Sequence, residues 1–176
     1  MLKRVDVATY DFVKSVNAAM TRSASIFPGQ LRRDDQKIGV ATRYGEHMPV
    51  ALDEKGLGAL IASCLDAPDA GDRALDLFVS LAKAQPFTDG NKRTALFVAN
   101  AELINSDDDR LLTIPGDEND PAVADRGTDL LARAYVFDED DAVALLNDGA
   151  RVDIAALALA DGERFAGDGG LVDHGL

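Results

Sequence analysis

Apolar residues recur at every third or fourth position along most of this chain, which is the pattern of amphipathic helices. The first such stripe lies within residues 6–22. The same spacing, bounded by turn-forming residues, predicts further helices over about residues 54–65, 72–85, 92–104, 122–135 and 138–146. We therefore predict a mostly α-helical protein.

The spacing also predicts which side chains face the core. The first stripe consists of Phe12, Val13, Val16, Ala19 and Met20. The next helix presents Leu57, Leu60, Ile61, Cys64 and Leu65. The third presents Leu75, Phe78, Leu81 and Ala82, and for the fourth we expect inward-facing Leu96, Phe97, Ala101 and Ile104.

Two segments depart from the helical pattern. Residues 38–44 alternate through Ile38, Val40, Thr42 and Tyr44, which predicts one strand of a β-hairpin. Residues 148–176 hold one short apolar pattern followed by a Gly-rich stretch that includes Gly162, Gly167, Gly169 and Gly170, so we predict a C-terminal docking helix and then a flexible Gly-rich tail.

Composition limits the class of protein. A chain of 176 residues, 47% of them hydrophobic, is expected to form one domain with a core, and it has no apolar run of membrane-spanning length. The formal net charge of −13 argues against a general nucleic-acid binder. Cys64, the one cysteine, lies on an apolar face where a buried thiol is the expected state. With no internal disulfide and no signal-peptide pattern, we expect a cytoplasmic protein without membrane partners.

Between the third and fourth predicted helices, residues 85–95 read Gln-Pro-Phe-Thr-Asp-Gly-Asn-Lys-Arg-Thr-Ala. The start of a helix offers unpaired N–H groups and a partial positive charge to an anion. Gly90 permits close approach of the backbone, and Asn91 can donate an amide hydrogen bond to a phosphate oxygen. Lys92 and Arg93 add positive charge. We therefore predict a phosphate-binding loop.

Two further residues fit this interpretation. Asp89 is an oxygen ligand of the kind that Mg²⁺ uses beside substrate phosphates, and Phe87 is expected to be buried under the loop as its anchor. Each residue alone has a simpler explanation, because Asp-Gly-Asn is a common turn and a Lys-Arg pair is usually solvated surface. Their concentration in seven positions between two apolar helices favours the binding site.

The loop resembles the signature of the Fic/Doc family, His-x-Phe-x-(Asp/Glu/Asn)-(Gly/Ala)-Asn-(Gly/Lys)-Arg. The matching residues are Phe87, Asp89, Gly90, Asn91, Lys92 and Arg93. The resemblance implies a compact helical bundle with a small β-hairpin flap, spanning residues 1–147 with its core at about 72–147. It also implies transfer of a phosphoryl or adenylyl group from ATP or a related nucleotide, with Mg²⁺, to a protein hydroxyl.

Two positions look like the Doc, or death-on-curing, branch. Adenylyl-transferring members usually have glycine where this chain has Lys92, and a second arginine where it has Leu96. That branch implies a toxin that phosphorylates a translation elongation factor and is restrained by a separate antitoxin. The resemblance also implies that the target protein docks at the flap, from Lys37 to Tyr44.

At its first position the motif departs from the family, because Gln85 stands where active members have a general-base histidine. A neutral amide cannot accept a proton at physiological pH. Loss of a general base typically costs roughly a hundred- to ten-thousand-fold in rate. Gln85 is either natural or a laboratory substitution. The chain has two histidines, His47 and His174, and neither is expected to replace the missing base.

Two functions follow as hypotheses. One is a toxin-like transferase whose activity Gln85 abolishes or much reduces, with Lys92 and Arg93 on the phosphates and Asp89 on Mg²⁺. The alternative is a pseudoenzyme that binds nucleotide or a partner protein without catalysis. A weaker third hypothesis places a nucleic-acid phosphate on the loop.

Overall fold

The computed structural model describes residues 4–20, 27–113, 121–137 and 151–153, with backbone only for 121–127 and 151–153. Its helices are α1 (Tyr10–Ala18), α2 (Glu54–Cys64), α3 (Ala70–Ala84), α4 (Asn91–Asn105) and α5 (Pro121–Phe137). Its strands are β1 (Val40–Thr42), β2 (Gly45–His47), β3 (Arg110–Leu112) and β4 (Arg151–Asp153). The predicted mostly helical fold with a small hairpin is confirmed.

The core is built around the neighbouring helices α3 and α4, which contact each other more extensively than any other pair of described helices. Helices α1 and α2 pack on this pair and α5 contacts α3. All four side chains predicted to face inward from α3 are buried, as is Cys64 on α2. Burial raises the pKa of the Cys64 thiol, so it behaves as the expected unreactive core residue.

Short polar side chains begin these helices. Thr9, Asp53 and Asp69 accept hydrogen bonds from first-turn N–H groups of α1, α2 and α3 respectively. At its other end α3 stops at Ala84, because Gln85 adopts a left-handed conformation (φ 46°) and Pro86 cannot continue the helix. These signals bring the end of α3 and the start of α4 together at the predicted loop.

The prediction for the inward face of α4 was wrong for Phe97 and Ile104, whereas Leu96 is partly buried and packs against the core. Phe97 is 60% exposed and Ile104 39% exposed, so these two side chains point away from the core. Helix α4 has apolar residues around most of its circumference, so the spacing of its apolar residues does not identify which face packs inward. The face that packs inward is Thr94, Ala95, Val98, Ala99, Glu102 and Leu103, whose small members permit a close approach to α3.

One buried charge on α4 is satisfied by α3. Glu102 is 6% exposed, and its carboxylate accepts a hydrogen bond of 2.8 Å from Nε of Arg73 and another of 3.0 Å from the Ser106 hydroxyl. Arg73 also donates to the carbonyl oxygens of Ala67 and Pro68. This network ties the end of α4 to the start of α3, at the opposite end of the helix pair from the predicted loop.

Strands β1 and β2 form an antiparallel hairpin in which Val40 pairs with His47 and Thr42 with Gly45. The predicted strand is therefore present, although shorter than residues 38–44. Strands β3 and β4 also pair antiparallel, Leu111 with Val152. A docking helix was predicted to follow residue 148, but Arg151–Asp153 is a strand that pairs with β3.

Other predictions lie outside the described residues. These are the helix at 138–146, the remainder of 148–176 and His174. No helix in the part of the chain that the structure describes combines the length and the apolar character needed to cross a bilayer.

Candidate nucleotide-binding site

A cavity of about 500 Å³ opens between the loop, the hairpin and α5. Its walls bring together the sequence-predicted Gln85, Asp89, Gly90, Asn91, Lys92 and Arg93. Further lining comes from Ile38, Gly39, Val40, Ala82, Thr88 and Tyr135. The cavity thus combines the whole predicted polar loop with apolar side chains from three other elements.

Phe87 is the buried anchor that the sequence predicted, with 0% of its surface exposed. Asn91 closes the loop over it, because its Oδ1 accepts from the Phe87 N–H and its Nδ2 donates to the Phe87 carbonyl, both at 2.8 Å. Leu31 forms an isolated antiparallel bridge with Phe87. The loop is therefore held from both sides, and Asn91 uses its amide for bracing as well as lining the cavity.

Gly90 places the first turn of α4 at the cavity. Its φ of 76° is in the left-handed region, where glycine carries no steric penalty. As the N-cap residue it has no side chain to bond the first N–H groups of α4. These uncapped N–H groups and the helix dipole create a positive end that suits an anion.

Charged side chains surround this helix start. Lys92 is exposed, and Arg93 lies with an Nη atom 3.7 Å from Oδ1 of Asp89, both side chains remaining about half-exposed. The same Asp89 oxygen accepts the Gly90 N–H at 2.6 Å. The arrangement presents two cations and one carboxylate at the mouth of the cavity, which can bind a phosphate together with a cation.

Asp89 is the carboxylate of the cavity that could bind Mg²⁺. Within the described residues no three His, Cys, Asp or Glu side chains gather into a group that could hold a metal by themselves. Mg²⁺ usually takes one or two carboxylates and completes its shell with substrate phosphates and water. Asp89, a cavity-lining carboxylate next to the predicted phosphate site, fits that requirement.

Gln85 is 8% exposed and lines the cavity. Its backbone carbonyl oxygen accepts a 2.8 Å hydrogen bond from Nε of Arg32, a residue only 4% exposed. Arg32 also donates through Nη2 to Pro49 at 2.6 Å and through its backbone N–H to Pro86 at 2.9 Å. Burial lowers the pKa of the Arg32 guanidinium. This arginine links the loop to the base of the hairpin.

The hairpin leans on α5 through its tip. Asp129 accepts a 2.8 Å hydrogen bond from the Tyr44 hydroxyl and lies 3.2 Å from Nε of Arg43. The bond to the carboxylate raises the pKa of the Tyr44 phenol. The Tyr44 ring meets Phe137 edge-on with centroids 5.3 Å apart. These contacts hold the hairpin over one side of the cavity.

His47 does not line the cavity. Its Nε2 donates a 2.8 Å hydrogen bond to the Lys83 carbonyl, because a carbonyl oxygen can only accept. Its ring lies against Tyr135, with centroids 5.4 Å apart. The histidine fastens β2 to α3 and α5, which agrees with the expectation that it does not replace a base at residue 85.

Sequence reasoning missed several site residues. Thr88 has, among the described residues, the one buried side-chain nitrogen or oxygen without a hydrogen-bond partner, and it lines the cavity. Tyr135 on α5 supplies an apolar wall. Asn17 is fully buried on α1 and bonds to the loop. Its signal was available, since it falls four residues after Val13 on the predicted inward face.

The fold and loop define a helical domain in which a polar loop lines a cavity beside a β-hairpin. The family model described as "Fic/DOC family" matches residues 8–103, more than half of the chain. The chain belongs to the Fic/DOC family.

A solved structure of similar fold is the BepC protein, a VirB-translocated effector protein of Bartonella tribocorum, crystallised with bound AMPPNP. The TM-score is 0.53 at 12% identity, and the match covers 83% of this chain and 75% of that one. At this identity the likeness supports the fold alone. No curated protein sequence matches the chain.

Proposed function

We propose that this protein is a Doc-like, toxin-related member of its family that binds ATP or a related nucleotide at the loop of residues 85–95. In this proposal Gln85 leaves phosphoryl or adenylyl transfer abolished or much reduced. The observation that carries the proposal is the convergence of Asp89, Lys92 and Arg93 with the uncapped start of α4 on one cavity. Such a preorganised set stabilises phosphate charge without rearrangement.

In the proposed complex the nucleotide phosphates lie against the first turn of α4, with Lys92 and Arg93 neutralising their charge. Asp89 would hold Mg²⁺, which would offset the negative charge of the phosphates. The AMPPNP bound by the Bartonella protein is consistent with the same ligand class.

Gln85 decides whether chemistry follows binding. Its amide lines the cavity but has no basic nitrogen, and no histidine among the described residues lines it either. Transfer to a hydroxyl requires removal of its proton, for which a base typically contributes roughly a hundred- to ten-thousand-fold. The remaining contribution of positioning and charge stabilisation would leave only weak transfer.

The Doc-like assignment and the partners rest on separate features. Lys92 and Leu96 are the positions that favour phosphoryl over adenylyl transfer. The flap at residues 37–44 is proposed to dock the target protein by strand addition, because β1 pairs with β2 alone in the part of the chain described here. A separate antitoxin is proposed as the restraint on the active form.

Purified protein, its Gln85→His variant and a Lys92→Ala variant are incubated with Mg²⁺ and γ- or α-labelled ATP, with binding measured by calorimetry. We expect nucleotide binding by the protein and by Gln85→His, label transfer mainly by Gln85→His, and weak binding by Lys92→Ala. Arg33→Ala is the matched control, since Arg33 is an exposed cation paired with Asp35 outside the cavity.

Each result separates the candidates. Transfer only by Gln85→His supports a disabled transferase, and the labelled position distinguishes phosphoryl from adenylyl transfer. Binding by both forms with transfer by neither supports the alternative, a pseudoenzyme. Absence of binding by both forms contradicts the proposed function.

A further inference from the structure

Asn17 lies in the last turn of α1 with 0% of its surface exposed, and its side-chain amide makes three hydrogen bonds. Oδ1 accepts the Gly29 N–H at 2.8 Å. Nδ2 donates to the Asp89 carbonyl at 3.2 Å and to Oγ1 of Thr94 at 3.0 Å. One side chain therefore joins α1, the segment before the hairpin, the loop and α4.

The bonds continue into the first turn of α4. Both the hydroxyl and the N–H of Thr94 donate to the Gly90 carbonyl at 2.9 Å. The carbonyls of Asp89 and Gly90, two successive residues, are thus held directly or through one hydroxyl by Asn17. Fixing those two peptide units fixes the direction in which the Asp89 carboxylate leaves the backbone and the orientation of the helix start.

We propose that Asn17 is a positioning residue for the nucleotide and Mg²⁺ site, which rests on the proposed function of the loop. It holds the backbone of Asp89 so that the carboxylate lines the cavity, and it sets the first turn of α4 beside it. An amide is required, because the side chain is 0% exposed and uses one acceptor and two donors. Side chains that orient a metal ligand typically affect metal affinity by about ten- to a hundredfold.

The primary variant is Asn17→Asp, which has the same shape and keeps the acceptor for Gly29 but loses both donors. The matched control is Asn100→Asp at the far side of α4. Asn100 likewise makes two backbone bonds, donating to the Leu112 carbonyl at 2.9 Å and accepting its N–H at 2.7 Å. Both variants lose an internal amide donor, but only Asn17 contacts the loop.

Should Asn17→Asp fail to fold, Thr94→Val tests the same network from its other end, because valine has nearly the shape of threonine without its hydroxyl. Thr94→Ser keeps the hydroxyl and serves as its rescue. In each pair the variant and the control differ in one hydrogen-bonding group.

Two measurements are made on each variant: ADP affinity with and without Mg²⁺, and backbone hydrogen exchange across residues 86–94. We expect Asn17→Asp to weaken Mg²⁺-dependent ADP binding by at least about tenfold. We also expect it to speed exchange at the Thr94 amide while Asn100→Asp leaves both unchanged. Thr94→Val should follow Asn17→Asp, and Thr94→Ser should follow the parent protein.

Unchanged loop exchange in Asn17→Asp and Thr94→Val overturns the proposal. Equal weakening of ADP binding by the Asn17 and Asn100 variants also overturns it, because the role would then be general stability. Failure of the parent protein to bind ADP with Mg²⁺ contradicts the proposed function instead. Loop exchange still decides in that case whether Asn17 braces the loop.

Discussion

The loop and the hairpin face each other across one cavity, but the protein holds them in different ways. The loop joins two buried helices, covers the fully buried Phe87 and is braced by Asn91 from within. The hairpin consists of two three-residue strands whose tip is held to α5 by exposed side chains around Asp129. The loop, which buried groups hold in place, suits a small ligand of fixed geometry. The hairpin tip, which exposed side chains hold, suits an extended partner whose shape can vary.

Breaking the loop's anchor should have the largest effect. We expect Phe87→Ala to lower the free energy of unfolding by about 3–5 kcal/mol, because it removes a large buried side chain and the surrounding residues cannot fully fill the space that it leaves. Urea unfolding followed by circular dichroism measures this. Phe97→Ala, the same change at a 60% exposed position, should stay within about 0.5 kcal/mol. Equal losses would contradict the assigned burial.

Tyr135 lines the cavity and also a smaller pocket of about 170 Å³ beneath the hairpin, so its burial depends on the loop side and on the hairpin side of the cavity. Burial raises the pKa of its phenol to about 12. Since this exceeds the unfolded value of about 10, the stabilisation is complete below pH 10 and is lost as the pH rises from 10 to 12.

We therefore expect the parent protein to lose about 1 kcal/mol more stability than Tyr135→Phe between about pH 9 and pH 11. Chemical unfolding at the two pH values measures the difference. Comparison with Tyr135→Phe removes the contribution of Tyr10 and Tyr44, which are common to both proteins. Parallel pH profiles would show that the phenol is not buried in solution.

Loosening the hairpin should have the smallest effect on global stability. Asp129→Asn removes the charge that Arg43 and Tyr44 share, and such exposed contacts are worth less than about 1 kcal/mol. Hydrogen exchange should accelerate about twofold across β1 and β2, with the loop unchanged. Asp107→Asn, which breaks the exposed ion pair with Arg4, is the control. Acceleration of the loop as well would show that the two walls are coupled.

Much of the site was predictable because its signals are local. The segment from Phe87 to Arg93 contains its own turn, helix start and charges, and the structure gathers them at one cavity. Phe87 was predicted as the anchor, and its complete burial confirms this. The ends of α2 and α3 were also close to prediction, since Pro68 and Pro86 exclude helix continuation.

The failures concern choices between faces and partners. Phe97 and Ile104 were placed inside because a large apolar side chain normally prefers the core, but α3 packs against the smaller residues of α4. The contacts of Arg32 were not predicted, since a buried guanidinium needs partners that no local pattern reveals. Val152 was predicted in a helix, although its backbone pairs with that of Leu111, 41 positions earlier.

The amino-acid sequence by itself determined the helical pattern, the loop chemistry and the buried anchor, because each depends on residues a few positions apart. The tertiary structure alone decided that Asn17 and Arg32 hold the loop, that Tyr135 walls the cavity and that Asp129 holds the hairpin. Those roles depend on backbone carbonyls and side chains brought together from distant segments. Their hydrogen bonds exist only after the helices have packed.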